Sequence, residues 1–332
     1  MNIRRLAMLG ARLLAGAALL ALAAWLVGLR ALLEQLSRID PVWFALAVLS
    51  MAASQWVSAA RWTLIAAILG LKAPPHELRV AYAQAMAVNV VLPGATLGGD
   101  TLRSVRLQRL GNPLGESALS VLLDRASGLW ILCILSLATG LGLLLGGQLD
   151  RVQLPAPMAT VDIRSLCWVY LLGLCVAAAL PFVPLRVPGA PTRGASQPEV
   201  DRAGSSRGAR MLARLAELHA LTVARSRALA RSLWSSVLVQ VLCALSLWLC
   251  QLAAGGRAGY LAVQAIAAPV FIAGVVPLSY GGFGARELVA LLVFPLVGVD
   301  AQTAVAASAL YGLGAVLLGL ATSPLLVLRA SR

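Results

Sequence analysis

Six ionisable residues in mostly apolar surroundings stand out in this sequence: Asp100, Arg103, Asp124, Arg125, Arg286 and Glu287. Arg61 is a seventh. A guanidinium presents a rigid fork of donors that fits a phosphate or a carboxylate. A carboxylate such as Asp100, Asp124 or Glu287 can also serve as a general base, provided a nucleophile and a donor site lie within reach. In hydrocarbon such charges cost at least about 2.5 kcal/mol at a helix centre, so they pair or face a polar pathway. Two readings stand for each group. Arg61 either snorkels to a membrane surface or joins a pathway. Asp124 and Arg125 either make a structural ion pair between helices or serve a substrate. Asp100 can cap the helix that follows it and still take part in binding.

Other chemistries lack their residues. Cys133, Cys167, Cys175, Cys243 and Cys250 lie in apolar runs without a CxxC pair and read as small apolar filler. His76 and His219 neighbour no cysteine, so no metal site is expected. The sequence has no Gly-rich loop ending in Gly-Lys-Ser/Thr and no HExxH. No cofactor and no catalytic residue is therefore expected, and transport would be downhill, ion-coupled or powered by a partner.

The elements that position these charges are membrane helices. Hydrophobic residues make up 60% of the 332 residues and charged residues 12%, against roughly a quarter charged in soluble domains. That balance excludes a soluble enzyme or a free nucleic-acid binder. The formal charge of +14 fits arginine-rich cytoplasmic loops without a nucleic-acid partner. At about 20 apolar residues per span, full spans are predicted over about 13–29, 42–66, 117–145, 165–185, 232–254 and 301–327. The first follows Arg4, Arg5 and Arg12 and is longer than a signal core, so an uncleaved helix is expected. Residues 186–209 are rich in Pro, Gly, Ser and Arg and read as a polar linker. Met211 to Ala230 is either a basic amphipathic helix at anionic headgroups or a plain basic loop.

Two interrupted segments share their punctuation. Val90-Val91-Leu92-Pro93 precedes Gly98-Gly99, and Val275-Val276-Pro277 precedes Gly281-Gly282. Gly111 lies 13 and 14 residues before Asp124-Arg125, and Gly298 lies at the same offsets before Tyr311-Gly312. Two inverted halves are predicted, each with a re-entrant hairpin. The division is 1–185 for the first repeat, with the 165–185 helix opening the second, then 186–231 for the basic linker and amphipathic segment, and 232–332 for the second repeat. With the N-terminus inside, the first hairpin keeps Arg103, Arg106 and Arg109 cytoplasmic, the second opens outward, and both termini are cytoplasmic. Pro-Gly breaks free backbone groups that survive in a membrane only inside protein or along a wet cavity. Paired breaks in inverted halves point to a transporter's site. Pro93, Gly98, Gly99, Pro277, Gly281, Gly282 and Gly284 are the expected backbone hinges.

Leu92-Pro93-Gly94 through Gly98-Gly99-Asp100-Thr101-Leu102-Arg103, with Ser117 to Arg125, resembles the first signature of the lysylphosphatidylglycerol synthase transmembrane (flippase-like) family. Pro277-Leu278-Ser279-Tyr280-Gly281-Gly282-Phe283-Gly284-Ala285-Arg286-Glu287 resembles the second, Gly-Gly-x-Gly-x-Arg-Glu. The resemblance covers about residues 10–328. It implies a polytopic lipid-handling domain, and with the spans and breaks read above the expected fold is all-α, with about six full spans plus two re-entrant helical hairpins in an inverted repeat. Its motif positions map to Gly98, Gly99, Asp100, Arg103, Asp124, Arg125, Gly281, Gly282, Gly284, Arg286 and Glu287. The first signature often carries Glu where Asp100 stands. Bifunctional members add a soluble synthase domain; the sequence stops at Arg332, so a stand-alone member without that activity is expected.

Three functions follow as expectations. The first is a lipid translocase of the bacterial inner membrane that meets an anionic headgroup with Arg103, Arg125 and Arg286. The second is a transferase on a lipid-linked substrate. The third is a scaffold that recruits envelope-lipid enzymes, such as those of hopanoid or polyprenyl-linked synthesis, through the 186–231 loop. Expected partners are the membrane lipid substrate, anionic headgroups at that basic loop, and envelope-lipid biosynthesis enzymes.

Overall fold

A computed structural model describes residues 37–91, 96–147, 163–179, 226–275 and 283–328, with 21, 22, 25 and 34 singly. Helix α1 spans Pro41–Ile68, α2 Pro75–Val91, α3 Thr96–Arg109, α4 Leu114–Leu145 and α5 Ile163–Ala179. In the second half α6 spans Ser226–Ala253, α7 Tyr260–Val275, α8 Ala285–Val293, α9 Ala301–Thr322 and α10 Pro324–Leu328, with a 3-10 turn at Phe294–Val297. Among the described residues the protein is all-helical.

Local chemistry sets the helix starts. Asp40 caps α1 by accepting from the N–H groups of Val42 (2.8 Å) and Trp43 (3.4 Å), and Pro41 supplies a preset first turn. Asp300 does the same for α9 through Thr303 N–H at 2.9 Å. Gly111 and Gly298, at φ +89° and +78°, turn the chain after α3 and after the 3-10 segment. Asn112 then clasps the preceding loop: it accepts from Lys72 N–H and donates to the carbonyls of Lys72 and Leu107.

Among the described residues four helices are long and apolar enough to cross a membrane: 41–68, 114–145, 227–253 and 301–326. Their outer faces carry Trp43, Trp56, Leu129, Trp234 and Leu317, while Ser54, Ser120, Ser136, Ser236, Ser246 and Ser308 are buried. Apolar outside and small polar inside is the packing of helices in lipid, where hydroxyls and close backbones hold helices together. The remaining described helices are shorter. At 1.5 Å per residue α2 measures about 25 Å, α3 about 21 Å and α8 about 13 Å, less than the roughly 30 Å hydrocarbon core.

The helices follow one plan twice: long, short, short, long. In the first half α2 packs on α3 and α3 on α4; in the second, α7 packs on α8 and α8 on α9. Across the halves α4 packs on α7, and α9 on α2. The most extensive contact joins α1 to α6, and it is antiparallel: Asp40 N–H reaches Ala253 O, while Arg61 reaches Ser236. Here Ser50 donates to Leu242 O at 2.9 Å and Ser246 donates to Ala47 O at 2.8 Å. Each half gives the other the same bond.

Predicted spans and observed helices agree closely except at three places. The 165–185 span is described as a helix only over 163–179. The 301–327 span stops at Thr322 and restarts at Pro324, because proline lacks the N–H that would continue the ladder. Ser226 to Ala230, assigned to the basic segment, are the first turn of α6. Most of the first span and of the 186–231 linker lie outside the described residues, as do Pro93, Pro277, Gly281 and Gly282.

Gly98 and Gly99 correct the hinge expectation, because both sit inside the first turns of α3. Gly99 serves close packing instead. Its N–H donates to Asn89 Oδ1 at 2.9 Å, and a Cβ there would fall 2.6 Å from Ala85 O. Gly99→Val should therefore push α2 from α3 and cost about 1–3 kcal/mol, read as a lower melting temperature in detergent; an unchanged melting point would refute the close-packing role.

Candidate functional site

The buried charges form two groups, one on each half. In the first, Asp124 on α4 receives Arg61 Nε from α1 at 2.8 Å and Arg103 Nη2 from α3 at 2.7 Å. All three side chains are nearly sealed from solvent. Arg61 thus does not snorkel: it also donates to Ser236 on α6, and Gly128 leaves room for its guanidinium. Residues adjacent on a helix diverge by about 100°, so Arg125 faces elsewhere. It makes a two-pronged pair with Asp100, at 3.1 and 3.0 Å, rather than pairing with Asp124. Arg103 touches Asp100 more loosely, at 3.5 Å.

Arg103 is also held by aromatic rings. Its guanidinium carbon lies 4.2 Å from the Trp62 ring centre and 4.7 Å from that of Tyr82. Desolvated cation–π contacts are worth about 2 kcal/mol or more. Trp62 is fixed in turn by its indole N–H to Ser120. Arg103 Nε is buried and finds no acceptor among the described residues. The group holds three arginines against two aspartates, one positive charge in excess.

The second group repeats the theme with different parts. Gly98-Gly99 stands five residues before Arg103 as Gly281-Gly282 stands before Arg286. Arg286 also lies between two rings, 5.4 Å from Phe283 and 5.5 Å from Tyr311. Its Nη2 donates to Glu287 at 3.1 Å and its Nε to Ser308 at 3.1 Å. Glu287 also accepts from Ser308 and from Gly284 N–H at the start of α8. Gly284 has φ +89°, a left-handed conformation that suits glycine. Counting from the two turn glycines, Tyr311 occupies the place of Asp124 and Gly312 that of Arg125. The Arg286 guanidinium fills the space a Gly312 side chain would need.

A cavity of about 250 Å³ lies between the halves. Asp100, Arg103 and Arg125 line one wall beside Tyr82 and Asn89; Phe283, Tyr311 and Gly312 form the other, with Met51 and Met86 between. Asp124 stands behind the first wall, while Arg286 and Glu287 stand behind the rings of the second. The Arg125 side chain is 39% exposed and Asp100 20%, whereas Arg103 is at 2%. Among the described residues no group of three His, Cys, Asp or Glu could hold a metal ion.

The sequence reading missed the rings that hold the arginines. Trp62, Tyr82, Phe283 and Tyr311 belong to the mere 5% of aromatic residues, and Trp62 directly follows Arg61. Aromatic residues beside intramembrane arginines were the available signal.

The chain matches the lysylphosphatidylglycerol synthase TM region over residues 10–322. It belongs to that family. Family membership makes it a membrane protein connected with envelope-lipid metabolism or translocation. Both signature segments fall inside the matched range, and their described parts carry the two arginine groups. Comparison with curated proteins finds no match.

Removing one partner of a buried ion pair costs about 3–5 kcal/mol, because the other charge is stranded. Asp124→Ala, which strands Arg61 and Arg103 together, should destabilise by at least that much, and Asp100→Ala, half-open to the cavity, by clearly less. Thermal melting of both variants in detergent checks the order; equal losses would refute it.

Proposed function

We propose that the protein is a lipid translocase that takes a headgroup bearing a phosphate into the cavity between its halves. The observation that carries this reading is the wall with two guanidinium groups, Arg103 and Arg125, facing one carboxylate, Asp100. A phosphate entering there meets a net positive surface and the unused Nε of Arg103. Arg125 is placed to trade its pair with Asp100 for the ligand, as a forked guanidinium suits either anion. Acyl chains remain in the bilayer beside the helices.

In this reading α2–α3 and α7–α8 are hairpins that dip in from opposite faces, and α1 and α6 cross between them. Asp124 lies about 15 Å along α4 from its start, and Ser308 about 10 Å along α9 from its own. Those starts flank opposite ends of the antiparallel α1–α6 pair. The two halves hold different states: the first shows its arginines to the cavity, and the second covers Arg286 with Phe283 and Tyr311. Exchange of these states between repeats gives alternating exposure. Arg286 then takes the headgroup in the second state.

The carboxylates speak against a transferase. Asp100 and Asp124 have both oxygens engaged by arginine, and Glu287 has both engaged by Arg286, Ser308 and Gly284. In this arrangement none is free to abstract a proton, and Asp124 and Glu287 keep their partners when Arg125 turns to a ligand.

Vesicles reconstituted with the protein and fluorescent phosphatidylglycerol test the proposal through dithionite quenching. Wild-type protein should move the lipid, Arg125→Gln and Arg286→Gln should slow it about tenfold or more, and melting of Arg125→Gln should change little. Equal rates in wild-type, variant and protein-free vesicles overturn the reading.

A further inference from the structure

A second feature lies on the outer side of the first hairpin. A groove of about 320 Å³, almost wholly apolar, runs along α3 and is lined by Val88, Gly98, Thr101, Leu102, Val105, Arg106 and Arg109. Its wall residues are apolar or small at the Gly98 end and basic at the other. Arg106 and Arg109 lie in the last turn of α3, about 60° and about 120° around the helix from the cavity arginine Arg103. A small neighbouring hollow adds Glu77 from α2 beside the same two arginines, so the basic end holds two positive charges and one negative.

We propose that this groove holds one anionic glycerophospholipid, its acyl chain along α3 and its phosphate between Arg106 and Arg109. The inference rests on the hairpin orientation of the proposed function. Length argues for this occupant. Gly98 to Arg109 is about 16 Å along the helix at 1.5 Å per residue, and one leaflet of the hydrocarbon core is about 15 Å. A chain of that leaflet therefore fits from midplane to headgroup level. Charge argues for the same occupant, since arginines at headgroup level attract anionic lipid. The site is separate from the cavity: no lining residue is shared between the two.

The test is native mass spectrometry of the protein released from dioleoylphosphatidylcholine nanodiscs that carry a minor fraction of dioleoylphosphatidylglycerol. Wild-type protein should retain phosphatidylglycerol over phosphatidylcholine. Arg106→Gln/Arg109→Gln should weaken that retention about tenfold or more while fluorescent-lipid movement continues at the wild-type rate. Val105→Trp fills the groove, leaves both charges in place, and should lose the lipid as well. Arg125→Gln, which empties the cavity site, should keep the groove lipid. Retention unchanged in both groove variants overturns the proposal, as does equal retention of phosphatidylcholine. So does a wild-type protein that keeps no lipid there, which would mean that another segment of the chain covers the groove. Failure of lipid movement in wild-type protein with the groove lipid still retained would instead count against the translocase reading.

Discussion

The pair between Arg103 and Asp124 is the constraint on which the first half depends. Neither group can sit in apolar surroundings alone, so α3 must lie against α4, and Arg61 draws α1 to the same carboxylate. Three helices are located by one aspartate. Trp62 and Tyr82 then clamp the guanidinium from the α1 and α2 sides. Arg103 lines the cavity while its guanidinium is held by Asp124, Asp100 and the two rings. The ion pair thus fixes both the packing and the aim of the cationic wall.

The second half reaches a similar end by another route. Its counter-charge sits next to the arginine in sequence, as Glu287, and a tyrosine stands where the first half has its aspartate. Loss of a side chain at Gly312 makes room for the Arg286 guanidinium. The outcome is a neutral, covered group facing a positive, open one. That difference between otherwise matching halves is what an alternating mechanism would interchange.

Much of this was legible in the sequence. Runs of apolar residues long enough to cross a bilayer marked the four long helices. Glycines at equal distances from Asp124 and Tyr311 pointed to the plan that the helices follow twice. What could not be read was which charge would meet which. Asp124 and Arg125 are neighbours in the chain and part company on the helix, a matter of angle rather than spacing. Gly98-Gly99 looked like a hinge because two glycines usually interrupt a helix, yet tight packing of α2 on α3 outweighs the entropy they cost. Arg61 looked peripheral because its partner lies 63 residues away.

The seryl bonds between α1 and α6 have a consequence for origin. A contact in which two surfaces each offer what the other accepts is the mark of a two-fold association between like objects. Such a surface needs no second invention: one ancestral half, inserted into the membrane in both directions, would have met its own reversed copy along this line. The aspartate at 124 and the tyrosine at the matching place, 311, mark where the two halves differ most in chemistry.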